Sequence, residues 1–343
     1  MRYLSILLAV TCICLKSSGQ NTAQTLVKCE RANFLIQSGD YNDAIRIFED
    51  CLKTKDTLPE VSYGAALAYY HSGNNKKAKK LAFDLMNTNH STHKNHPCIS
   101  KAAKLVAFIE DEENSGIDMV LVKGGTFWMG CKDGRDVECE SQTKPSHPVK
   151  LDDYYIGKYE VTQAEWKKVM GNNPSGFKGC DKCPVENVSW DSVQVFLAKL
   201  NRLYPGLDFR LPTLAEWEFA ARGGNKSIGY TFIGSNKGNE VGWYDENADG
   251  KTHPVGEKTP NELGLYDMGG NVWEWCSDWF GDYKDEDAIN PTGPLTGTHK
   301  AYKGGAWQYA ALYTRPAHRG DLNSYEFNND HGFRLARPRK CFK

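Results

Sequence analysis

The residues in this 343-residue chain best suited to redox or metal chemistry are its 11 cysteines. Cys12 and Cys14 lie in an apolar N-terminal run, and the others stand at 29, 51, 98, 131, 139, 180, 183, 276 and 341. Cys180 and Cys183 form a lone CxxC. Without a second pair this is a poor zinc or redox motif, and ahead of Pro184 it reads as a local disulfide. Cys276, just after Trp273-Glu274-Trp275, reads as a buried thiol. Short spacing also suggests Cys29 with Cys51 and Cys131 with Cys139, although sequence alone does not fix connectivity. Leaving aside the two early cysteines, the number is odd, so at least one thiol stays free.

The chain's start sets the compartment for these thiols. Residues 1–19 carry Arg2, an apolar run from Leu4 to Leu15, and small residues at Ser17 and Gly19, the pattern of a secretory signal. The apolar run is shorter than the ~20 residues a spanning helix needs, and no later segment reaches that length. The expected product is exported, periplasmic or secreted, with no membrane span. A lipid anchor is the competing reading, but both cysteines sit inside the apolar run instead of just after a cleavage site. With 42 basic and 43 acidic side chains, there is no field to gather polyanions, so nucleic acid is not an expected partner.

Two kinds of element must position any site. In residues 20–113, Ser38 and Ser72, Gly39 and Gly73, and Ala44 and Ala78 recur 34 residues apart. The period resembles the tetratricopeptide repeat, with Gly at a turn between two helices and Ala where they approach. With an amphipathic stretch at 98–113 as a cap, this all-α segment reads as five helices. It offers either an adaptor surface for a protein or peptide, or a packing spacer. The run 111–116 breaks the helical pattern. Beyond it lie all 9 Trp and most of the 32 Gly, in short strand-like runs such as 119–130. Three helices stand out there: 162–171, stopping at Gly171; 189–205, with Val193, Phe196, Leu197 and Leu200 on one face; and 208–224, with a Thr213–Glu216 capping box and a stop at Gly223.

The blocks LVKGGTFWMG, YYIGKYEVTQAEW, NPSGFKG, CPVENVSWDSVQVF, FRLPTLAEWEFAARGG, KTHPVGEKTPNELGLYDMGGNVWEWCSDW, YKGGAW and HGFRLAR follow in that order. Together they resemble the formylglycine-generating enzyme family, also called the sulfatase-modifying-factor domain, over 117–340. The resemblance implies an irregular α+β fold related to C-type lectins, with Trp supplying apolar burial where regular elements are scarce.

It also implies an oxidase that converts a sulfatase cysteine to formylglycine with O2 and copper(I) held by two thiolates. In the family both thiols lie between the last GG and the final GFR. Here that interval, Gly305 to Gly332, has no cysteine. The positional matches are Tyr309 and Thr314, with Ala306 in place of an active-site serine, and hard oxygen donors do not suit copper(I). Copper is therefore not expected, and a sulfur-directed oxidoreductase with other ligands is the alternative. Related sulfoxide synthases bind iron through histidines, but His71, His90, His93 and His96 show no HxxxH spacing.

Calcium carries over better. The family pattern places one site on Asp267, Gly270, Val272 and Glu274, and a second, less securely, around Glu240, Val241, Asn247 and Asp249. Carboxylate and carbonyl oxygens suit a cage of about six to eight ligands. With the thiols gone, the corresponding groove would carry Trp307, Tyr309, Tyr313, Arg315 and Arg319, an aromatic–guanidinium mix suited to a peptide or glycan. The arginines are open to a second reading, as ties to buried carboxylates. The protein is thus expected to be a binding or scaffold module.

Overall fold

The N-terminal repeats fold as their period requires, as helix pairs joined at glycine. Helices α1 (Gln20–Ser38) and α2 (Tyr41–Leu52) turn at Gly39, and α3 (Pro59–His71) and α4 (Asn75–Met86) turn at Gly73. Their φ values of 90° and 84° cost glycine little. Ala44 and Ala78 are fully buried. Gly64 of α3 lies against Phe48 of α2, so closely that an added Cβ would sit 2.4 Å from the ring. Helix α5 (Pro97–Ser115) runs on through 111–115, where the charge run suggested a break, and ends at Gly116, φ 66°. The N-terminal segment therefore has five helices among its described residues.

This computed structural model describes residues 20–53, 58–87, 96–132, 136 and 139–339. The expected signal at 1–19, with Cys12 and Cys14, lies outside the described residues, as do His90, His93 and Cys341. The chain divides into two compact units, one through Asn114 and one from Ser115. Among the described residues no helix is long and apolar enough to cross a membrane.

The second unit is α+β, with short strands in four small sheets. Strand β1 (Met119–Val122) pairs antiparallel with β4 (Tyr154–Gly157), and β2 (Gly125–Met129) with β3 (His147–Leu151). Helix α6 (Gln163–Met170) starts at a Thr162–Glu165 capping box and stops at Gly171 with φ 84°. Helix α7 (Trp190–Leu203) buries Val193, Phe196, Leu197 and Leu200, the face read from the sequence. Helix α8 (Leu214–Ala221) starts at the expected Thr213–Glu216 box and is buried on all sides, in the middle of the core.

Two-residue strands β5 (Gly242–Trp243) and β6 (Gly269–Gly270) pair with each other. Strand β7 (Trp273–Trp279) is central to the four-stranded sheet β10–β9–β7–β11, formed with β9 (His299–Lys303), β10 (Arg319–Asn323) and β11 (His331–Gly332). Strand β8 (Ala288–Ile289) extends β3, and β12 (Ala336–Pro338) extends β4.

Disulfides Cys131–Cys139 and Cys180–Cys183 form as the spacing suggested. The pairing expected of Cys29 with Cys51 does not. Both stay as thiols with no disulfide between them, buried in the α1–α2–α3 core, where they pack as small, largely apolar groups. Burial first, then the neighbouring Cys51, pushes Cys29 up to about 12. Cys98 and Cys276 are also free and buried.

Candidate functional site

The loop between β9 and β10 carries four of the expected groove residues and β10 opens on the fifth, Arg319; the backbone sends them three ways. Gly304 and Gly305 end β9, a 3-10 turn at Ala311–Thr314 reverses the chain, and β10 begins at Arg319. Trp307 donates from Nε1 to the Asn329 carbonyl at 3.1 Å and meets Phe177 edge-on at 5.3 Å. Tyr309 is half-buried against Trp273 at 5.3 Å and Tyr313 at 5.6 Å, and burial pushes its phenol up. Thr314 is buried, its hydroxyl donating to the Ala311 carbonyl at 2.8 Å. The two positions matching the copper thiols are thus used to pack and tie the loop. Cys276 is fully buried in the core, and burial raises its thiol well above the ordinary range.

Arg315 takes a second direction. Its Nε donates to the Leu312 carbonyl at 2.6 Å, and it lines a cavity of about 210 Å³ with Glu140, His318, Arg222, Phe127 and Trp128. His318 Nδ1 lies 3.2 Å from Glu140 Oε2. Burial, then Lys303 and Arg315, brings His318 down to about 3, so it is neutral near pH 7, while burial raises Glu140. The cavity thus presents the Arg315 guanidinium near a neutral imidazole and the Glu140 carboxyl between aromatic walls, while the second guanidinium in its lining, Arg222, is held by Glu218 and Asp136.

A buried ion network fixes this wall. Lys303 Nζ donates to Glu218 Oε2 at 2.8 Å and to the carbonyls of Pro316 at 2.8 Å and His318 at 3.3 Å. Glu218 Oε1 accepts from Arg222 Nε and from the Gly130 amide, both at 2.9 Å. Burial alone would raise Glu218, but Lys303 and Arg222 outweigh it and hold the carboxyl at about 2.

Arg319 takes the third direction. It was expected in a surface groove, but the structure places it inside, 1% exposed, because β10 pairs with β9 in a register that sets it opposite buried Lys303. Its Nε and Nη1 donate to the carbonyls of Gln142 and Gly281 at 2.7 and 2.8 Å.

The expected calcium positions also separate. Asn247 spends both ends of its amide in a turn, Oδ1 accepting from the Tyr244 amide and Nδ2 donating to the Gly242 carbonyl, while Asp249 is exposed at φ 51°. Glu274 is fully buried and fully engaged. Arg334 donates to both its oxygens at 2.6 Å, and Trp217 Nε1 to Oε2 at 2.6 Å.

Asp267, at φ 54°, accepts from the Gly256 amide through Oδ2, whereas its buried Oδ1 has no hydrogen-bond partner. Burial brings Asp267 up to about 6, and the Glu274 charge adds to it. Burial, then Asp267 and Glu274, also raises Glu160, which accepts from Asn271 Nδ2 and the Val272 amide. Gly270 ends β6, and Val272 lies between β6 and β7. Among the described residues no three His, Cys, Asp or Glu side chains form a metal-ligating group. Hard oxygen chemistry and the orphaned Oδ1 fit a cation at Asp267, but Glu274 is already held by Arg334.

Sequence reading missed Glu140, His318, Lys303 and Glu218. Only the cation-rich run Arg315-Pro-Ala-His318-Arg319 hinted at them, since carboxylates from distant segments had to meet it.

A family model described as the sulfatase-modifying factor enzyme 1-like domain matches residues 106–339, and a tetratricopeptide repeat model matches 35–92. The chain is 35% identical over 271 residues to the chaperone protein LppX of Paenibacillus barcinonensis, covering 65% of this chain and 90% of that one. It is 31% identical over 205 residues to the formylglycine-generating enzyme of Streptomyces coelicolor, covering 51% of this chain and 59% of that enzyme, less than two thirds of its length. The structure of Treponema denticola variable protein 1 matches with a TM-score of 0.59 and 32% identity, over 64% of this chain and 95% of that one.

Proposed function

This chain belongs to the sulfatase-modifying factor enzyme 1-like family, and we propose that it serves there as an exported binding module, not as a thiolate–copper oxidase. The observation that carries this reading is the use made of Tyr309 and Thr314. A phenol packed on Trp273 and a hydroxyl bonded to its own turn are spent on structure, and neither is a soft ligand. Next to Thr314, Arg315 lines a cavity whose aromatic walls and guanidinium suit one side chain or sugar unit of a peptide or a glycan. The similarity to a protein named a chaperone favours the peptide.

Two disulfides among the described residues support an oxidising compartment, periplasmic or secreted. The repeats supply a second surface for a protein partner. Calcium belongs to the proposal at Asp267 with the main-chain oxygens of Gly270 and Val272, on the strength of the orphaned Oδ1; it would offset the Glu160–Asp267–Glu274 charge.

The test is to incubate the full chain with a cysteine-containing sulfatase peptide, copper(I) and O2, and to measure both retention of the peptide and its mass. Binding that Arg315→Ala weakens, with the peptide mass unchanged, is expected. Aldehyde formation, or stoichiometric copper or iron in the purified protein, would establish the oxidoreductase reading instead.

A further inference from the structure

The fully buried large side chains of the second unit include three cations: Arg334, Lys303 and Arg319. Arg334 meets Glu274 and Lys303 meets Glu218, each through a close ion pair. Arg319 meets no carboxylate among the described residues. Two of its nitrogens reach carbonyls, its ring neighbours are Tyr283 at 3.7 Å and Phe280 at 4.4 Å, and Nη2 has no hydrogen-bond partner. The hydroxyl of Tyr283 is likewise buried without a partner. A buried cation without an anion is costly, and stacking on aromatic rings offsets only part of that cost.

Both residues line one cavity of about 350 Å³, separate from the one at Arg315. Its other walls are largely apolar, including Met129, Leu214, Trp279 and Ala288. At its mouth Lys284 pairs with Glu286 at 3.6 Å and exposed Asp282 adds a negative charge, so the attraction for an anion has to come from Arg319 and not from the rim. Asp278 is turned to its own scaffold, accepting from the Leu214 amide and the Ser277 hydroxyl. The size falls within the range of small-ligand sites, and the lining has their usual form of an apolar body with a few polar anchors.

We propose that this cavity is a second ligand site, in which Arg319 and Tyr283 take the carboxylate of a ligand with an apolar body. The carboxylate supplies the anion Arg319 lacks and an acceptor for the Tyr283 hydroxyl. The apolar body lies against Trp279 and Met129. The site is independent of the binding proposed at Arg315. The same chemistry is available from a small free acid or from the C-terminal end of a polypeptide.

Calorimetric titration of the full chain with benzoate and its neutral isostere benzamide tests the assignment. Two further probes, an acetylated tripeptide ending in phenylalanine and its C-terminal amide, distinguish the sources. Benzoate is expected to bind at least about tenfold more tightly than benzamide, the difference a charged hydrogen-bonding pair supplies. Tyr283→Phe, which keeps the ring, should weaken benzoate several-fold, and Arg319→Lys should weaken it further. Preference for the tripeptide acid over benzoate identifies a polypeptide end, and the reverse identifies a free acid; either supports the carboxylate site. Should Arg319→Lys fail to fold, the acid–amide pairs and Tyr283→Phe still decide. Equal binding of acid and amide, no binding of any acid at millimolar concentration, unchanged benzoate affinity in Tyr283→Phe, or loss of benzoate in Arg315→Ala would overturn it.

Discussion

Replacing Glu218 with Gln tests how the second unit holds its loop, because one carboxylate there faces two cations with no solvent between them. Glu218 is fully buried and its folded carboxyl is held at about 2, against an ordinary value of 4.5. At about 1.4 kcal/mol per pH step, that difference corresponds to about 3 kcal/mol of stabilisation. Breaking a buried pair from one side gives a similar figure, about 3–5 kcal/mol, since Lys303 is left charged and buried.

The direction with pH follows. A folded value below the unfolded one means the stabilisation is complete above pH 4.5 and is lost as the pH falls towards 2. Urea unfolding followed by tryptophan fluorescence should therefore show Glu218→Gln less stable by about 3–5 kcal/mol at pH 7, with the gap closing between pH 4.5 and pH 3. Adding Lys303→Met should restore part of the loss, because the ammonium that had lost its partner is gone. A gap that stays constant from pH 7 to pH 3 would refute the reasoning, as the lost energy would then be packing and not charge. A double variant whose losses simply add would refute it too.

Calcium at a hundred times its dissociation constant should add about 2.7 kcal/mol to the stability. Calorimetry with calcium and with chelator should therefore differ in wild type but not in Asp267→Asn, a substitution the left-handed backbone there tolerates; equal melting temperatures in wild type would remove calcium from the reading. Gly64→Ala puts a methyl 2.4 Å from the Phe48 ring and should cost about 1–3 kcal/mol by overpacking, seen as earlier loss of helical circular dichroism in urea. Cys131→Ser with Cys139→Ser opens a short loop and should cost about 2–3 kcal/mol. That loop closes just before Glu140 and carries Asp136, the partner of Arg222 at 3.2 Å, so peptide affinity measured at the Arg315 cavity should fall with it.

What the sequence made legible is what neighbouring residues settle among themselves. Thr213 and Glu216 cap a helix across three positions, Gly171 ends one by its own φ, and Val193, Phe196, Leu197 and Leu200 share a face through helical period alone. The family blocks added the order of elements in 117–340. The candidate site was less legible because its chemistry is decided by pairings far apart in the chain. Glu274 read as a calcium ligand until Arg334, 60 residues on, is found on both its oxygens. Cys29 and Cys51 share a core as two thiols with no disulfide between them, which spacing cannot distinguish from a disulfide.

Arg315 and Arg319 make the same point most sharply. They lie four positions apart and read as one groove, yet a 3-10 turn before the first and the β9–β10 register at the second send them to different cavities. In a domain built of short strands and long irregular connections, side-chain direction is set by backbone register and not by periodicity. A charged residue's role here follows from which opposite charge the register delivers to it. Glu218 receives two cations and Arg334 receives Glu274, so both are consumed by the fold. Arg319 receives none among the described residues, which leaves its charge available to a ligand.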